Sequence, residues 1–128
     1  MSDPDFPEAL RSFIREMIPT VDAAELLVML AVNSERAYGV QEAVDAMQPT
    51  AVTAPAARRY LMHFHAQGLV APRDGEAYQY SPGSPELDEA VRALARVYNA
   101  RPVTLVRMIY APKDEKIRSF ADAFRIKK

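Results

Sequence analysis

Apolar residues recur at three- and four-residue steps near the start of the chain, at Phe6, Leu10, Phe13, Ile14 and Met17, which lines one face of a helix. Asp5 followed by Glu8 has capping-box spacing, and Pro19 stops the pattern after Ile18. Thr20 or Asp22 caps a second helix whose middle, Glu25 to Val32, is apolar nearly all round, as in a helix covered on several sides. Residues 33–39 read as a loop. Val40, Ala43, Val44 and Met47 then form a short amphipathic helix that Pro49 ends.

Thr53 is an N-cap, Pro55 fits a first helical turn, and Ala57, Tyr60, Leu61 and Phe64 make a stripe that runs to Gly68, which predicts a helix over 53–67. Two short runs, 69–73 and 76–81, flank Asp74-Gly75, a strong cue for a β-hairpin. Ser84-Pro85-Glu86 sets a cap, a proline at the first helical position and an acid in the first turn. Leu87, Val91, Leu94, Ala95 and Tyr98 continue that helix toward Pro102. Residues 103–110 fit either state, since β-branched content favours strand while the short run after a proline suits a helix; helix is the expectation. Beyond Pro112, the spacing of Ile117, Phe120, Ala121 and Phe124 predicts a closing amphipathic helix, and no internal repeat occurs.

The length of 128 residues is that of one domain, and 49% hydrophobic with 26% charged residues is ordinary for a folded chain. With no cysteine there is no disulfide, thiolate zinc site or thiol nucleophile. No apolar run is long enough to span a bilayer and the first five residues are acidic rather than basic, so a cytoplasmic location is expected. The net charge of −1 is unevenly spread. Residues 1–50 hold nine acids and three bases, residues 51–73 hold Arg58, Arg59 and Arg73 with no acid, and residues 113–128 hold six bases and three acids. A polyanion would be met by 51–73 or by the tail.

The order helix, short helix, turn, helix ending in Gly-Leu-Val, and hairpin with an Asp-Gly tip resembles the winged helix-turn-helix domains of bacterial transcription regulators. Residues 20–81 carry the likeness, most specifically Leu61-x-x-Phe64-x-x-x-Gly68-Leu69-Val70. The tail 116–128 is similar to the end of uncharacterised bacterial winged-helix proteins. The resemblance implies a mainly α fold with a small β-hairpin (α+β). A winged-helix domain would span 20–83, an N-terminal helix within 1–19 would pack on it, and a helical extension over 84–128 would serve dimerisation. It also implies a homodimeric transcription regulator that binds double-stranded DNA, with 53–67 as recognition helix and 69–81 as wing. A helix with one apolar face on the core can present the other to a major groove. The implied contacts are Arg58 and Arg59, which can pair with phosphate or with guanine, Thr53 at the helix N-terminus, His63, and Arg73 on the wing. Each also has an ordinary use, as a solvated charge or a cap.

The turn between Met47 and Ala57 is longer than in the compact motif, Thr53 to Ala57 offers few side-chain donors, and Asp74 and Glu76 at the wing tip would repel phosphates. These features motivate an alternative, a non-catalytic protein-interaction module. In the tail, Ile117, Phe120 and Phe124 need a surface, which could be the domain's own core, a second copy joined with the 84–110 helices, or a membrane surface, of which the last fits least.

Four glycines, Gly39, Gly68, Gly75 and Gly83, cannot write a dinucleotide fingerprint or a P-loop. His63 and His65 are two apart on a helix and diverge, where one metal would want i, i+4 spacing. The adjacent acids Asp88-Glu89 and Asp114-Glu115 diverge likewise, and no nucleophile elbow occurs. A non-enzyme without metal or cofactor is expected. A weaker reading places an effector between wing and C-terminal helices, near Tyr78, Tyr80, Tyr98 and Tyr110.

Overall fold

The computed structural model describes residues 8–48, 50 and 52–110. The first helix, α1 (Glu8–Met17), buries Leu10, Phe13 and Ile14, the positions that its three- and four-residue spacing brings to one side. Pro19 separates it from α2 (Val21–Val32). There the Thr20 side chain accepts from Ala23 N at 3.1 Å, and the Asn33 amide donates back to the Met29 carbonyl at 2.9 Å. Six of the twelve α2 residues are buried, so this is the helix around which the others assemble.

Residues 33–39, expected as loop throughout, contain a strand, β1 (Ala37–Tyr38). It pairs antiparallel with β3 (Ala77–Tyr80), which also pairs with β2 (Val70–Arg73), giving a three-stranded antiparallel sheet in the order β1-β3-β2 rather than a lone hairpin. Three contacts hold the added strand. Tyr38 is buried, the Arg36 guanidinium lies 4.5 Å from the centre of its ring, and the Gln79 amide donates to the Ser34 carbonyl at 2.9 Å. The tip between β2 and β3 takes three residues, because Glu76 as well as Gly75 has positive φ, at 58° and 76°. The second strand of the hairpin therefore starts at Ala77, one residue later than expected.

Between β1 and the hairpin lie α3 (Val40–Ala46) and α4 (Ala54–Ala66). The Glu42 carboxylate accepts from Gly39 N at 2.9 Å and so closes the start of α3. After the sheet, Ser84 caps α5 (Pro85–Ala100) by accepting from Leu87 N at 3.2 Å. Residues Pro102–Tyr110 form a helix, α6, with Leu105 and Ile109 buried one turn apart while Val103 and Val106 face outward. That i, i+4 burial outweighs the β-branched content of the run.

One apolar cluster runs from Leu10 on α1 through Leu26, Leu30, Leu61, Phe64 and Leu94 to Ile109 on α6. The chain is thus an α+β protein, helical around a small sheet, with α1 and α6 packed on α5 and α4 packed on α3 and β2. Among the described residues no helix is long and apolar enough to cross a membrane. The expected closing helix, with Ile117, Phe120 and Phe124, and the first turn around Phe6 lie outside the described residues.

Candidate nucleic-acid interface

The N-terminus of α4 is set by Thr53, whose hydroxyl oxygen accepts from Ala56 N at 3.2 Å and whose own proton is left to donate elsewhere. Ala57, Leu61 and Phe64 are fully buried, which fixes the rotation of the helix about its axis. Two polar ties hold one flank of α4 to the start of the chain. Thr20 donates to the Tyr60 hydroxyl at 2.8 Å, and His63 Nε2 lies 3.0 Å from the Met17 carbonyl. A carbonyl only accepts, so His63 donates through Nε2 there. The other flank meets the sheet, where the His65 and Tyr78 rings sit 5.9 Å apart.

The face opposite the core is formed by Pro55, Arg58, Arg59, Met62, His65 and Ala66. Arg58 stands two turns before His65 on the hairpin side, and Arg59 lies between Pro55 and Met62. Neither arginine makes an ion pair or hydrogen bond among the described residues, and α4 contains no acid. Both guanidinium groups are available to an external anion.

Arg73 ends β2 and is less free. Its Nε donates to Gln79 Oε1 at 2.8 Å and a terminal nitrogen donates to the Pro72 carbonyl at 3.1 Å, so the side chain lies back along the sheet. Asp74 and Glu76 stand exposed beside it at the tip. The structure thus puts Arg58 and Arg59 on one outward face, places Thr53 at the end of that helix, ties His63 inward to α1, and sets Arg73 on the hairpin. Met62, which is 56% exposed between the arginines, was not singled out from the sequence. Its signal was present as the phase opposite Leu61 and Phe64.

The long connection between α3 and α4 is pinned to the core. Met47 and Val52 are buried, and the Thr50 hydroxyl donates to Glu25 of α2 at 3.3 Å. The angle of α4 is set by these anchors rather than by a short turn.

The four tyrosines do not converge on one cavity. Tyr80 donates to Asp88 at 2.7 Å in a cleft shared with Ser34 and Arg92. Burial, then the Asp88 hydrogen bond, raises the Tyr80 phenol well above its ordinary value. Tyr98 donates to Glu25 in a different cleft, Tyr110 accepts from Val21 N at 3.4 Å, and Tyr78 lies against His65. Among the described residues no three His, Asp or Glu side chains gather as metal ligands would. No family model matches the chain, and no curated protein or solved structure does.

Proposed function

We propose that this chain is a winged-helix transcription regulator that binds double-stranded DNA through the outward face of α4, with the β2–β3 hairpin as its wing. The observation that carries the reading is the pair Arg58 and Arg59, exposed, unpaired among the described residues, and on a helix without acids. Such a helix can enter a major groove while its other face stays on the core. Thr53 supplies a hydroxyl proton and the helix N-terminus to one phosphate, and Arg73 offers another the terminal nitrogen that its bonds to Gln79 and Pro72 do not use. With Ala54, Pro55 and Ala56 at the front of the helix, phosphate contact dominates over base readout, so affinity is salt-dependent and weakly sequence-selective. The reading assigns the chain no catalytic step and no cofactor. It includes a homodimer, supported by Val103, Val106 and Tyr110, which stand exposed at helical spacing on α6.

The test is fluorescence anisotropy of a labelled random-sequence duplex across a salt series, with complex stoichiometry read from the saturation point. Each phosphate contact contributes about 0.9 to the slope of log K against log salt, so Arg58→Ala with Arg59→Ala, which takes two arginines from each chain of the dimer, should reduce the slope by about 3.6. Saturation at two chains per site is expected. An unchanged slope removes the two arginines from the interface.

A second reading is favoured by Met62 and by the acids at the tip: the same face meets a protein instead of DNA. Absence of binding at low salt in the same titration would transfer the face to that partner class.

A further inference from the structure

Glu25 occupies the middle of α2, where the only other charged residue is Asp22. Its carboxylate accepts from the Tyr98 hydroxyl at 2.8 Å and from the Thr50 hydroxyl at 3.3 Å, so both oxygens are held by neutral donors. Burial, then the hydrogen bond to Glu25, pushes the Tyr98 phenol up to about 12, which keeps that donor protonated at any ordinary pH. The carboxylate stands at a cleft of about 400 Å³ between α2, the end of α3 and α5. Val28, Met29, Val32 and Met47 supply its apolar wall, and Asn33 and Gln48 its neutral rim. Among the described residues no arginine, lysine or histidine lines it, and Glu25 is the single charge of that described lining. Val32 is 72% exposed there, the most exposed of the large apolar side chains among the described residues.

A carboxylate without a cationic partner among the described residues, beside an apolar wall whose outer member Val32 is exposed, in a cleft of ligand size, has a defined complement. An anion is repelled, a divalent metal would find one carboxylate where it needs several oxygen ligands, and a neutral apolar molecule would leave the charge unanswered. We propose that this cleft binds a monovalent organic cation with an apolar body, its positive centre on Glu25 and its body against Val28, Met29 and Val32. The site is separate from the outward face of α4 and does not depend on DNA binding.

The test is isothermal titration of the full chain with benzyltrimethylammonium, benzyl alcohol and phenylacetate in parallel, which share an aromatic body and differ in charge. Binding of the cation, with at least tenfold weaker binding of the alcohol and none of the carboxylate, is expected. Glu25→Gln keeps an acceptor for one of the two hydroxyls and offers the other an N–H to accept from while deleting the charge, and should weaken the cation at least tenfold with the circular dichroism spectrum unchanged. Tyr98→Phe leaves the charge and frees one oxygen, so the cation should bind at least as tightly; this variant decides the matter if Glu25→Gln does not fold. Equal affinity for the cation and the alcohol, no loss in Glu25→Gln, or no cation binding at millimolar concentration would each overturn the proposal.

Discussion

The outward placement of Arg58 and Arg59 depends on which side of α4 is buried, and Phe64→Ala tests that placement directly. Phe64 is fully buried in the apolar cluster, so truncation to alanine removes an aromatic ring from a packed site. Such a change costs about 3–5 kcal/mol, the sum of lost transfer energy and the cavity left behind. At about 1.4 kcal/mol per tenfold, this lowers the folded-to-unfolded ratio by about two to three and a half orders of magnitude. The backbone bond from Leu69 N to the Phe64 carbonyl, 2.9 Å, survives the substitution, so the cost belongs to the ring alone. Met62 on the same helix is the matched control, since it is more than half exposed and Met62→Ala should cost below about 1 kcal/mol. The chain has no tryptophan, so urea unfolding is best followed by far-ultraviolet circular dichroism, and the m-value should be common to all three proteins. Comparable costs for the two variants, or less than about 1 kcal/mol for Phe64→Ala, would mean that α4 is rotated about its axis. The arginines would then not form the outward face.

Two further perturbations probe other parts of the framework. The Asp88 carboxyl is held below its ordinary value, first by the hydrogen bond that Arg92 donates at 2.8 Å and then by the Tyr80 hydroxyl. A folded-state value below the unfolded one contributes stability that is complete above the unfolded value and is lost as pH falls through the folded one. Wild type should therefore lose stability faster than Asp88→Asn as pH drops below about 3.8, the ordinary carboxyl value, and parallel acid-unfolding curves would refute the assignment. Gly68 has φ of 79°, and a Cβ there would approach nothing closer than Leu87 Cδ1 at 3.9 Å, so Gly68→Ala tests backbone strain without a clash. A loss of about 1–2 kcal/mol in the same urea assay is expected, and a change below about 0.5 kcal/mol would contradict it.

The long periodic elements were legible because burial and helical spacing agree in them. Thr20, Thr53 and Ser84 cap the helices predicted to start after them, and the stripe Ala57, Leu61, Phe64 is the buried side of α4. What the sequence did not give away was made by partners distant along the chain. Two residues cannot show a period, so β1 exists only because β3 is there to pair with Ala37 and Tyr38. The inward tie of His63 depends on a carbonyl 46 positions earlier, and the Glu25–Tyr98 bond spans 73 positions. A histidine or a glutamate in a helical pattern carries no mark of such a partner. Residues 103–110 were ambiguous for a local reason, since β-branched propensity opposed the helix that packing of Leu105 and Ile109 secures.

Pro72 sits in β2, on an outer strand of the sheet, opposite Tyr78. Ser81 N donates to the Leu69 carbonyl, so hydrogen-bonded pairs fall at alternate positions and the Pro72–Tyr78 pair is not one of them. The nitrogen of Pro72 therefore points away from β3, where any other residue would offer an N–H to an incoming strand. The opposite margin, β1, is only two residues long. Neither margin is a template for a peptide or a second sheet to continue the ladder, which protects the chain from edge-to-edge aggregation. A partner must be engaged through side chains, and strand addition is not an open route into this sheet.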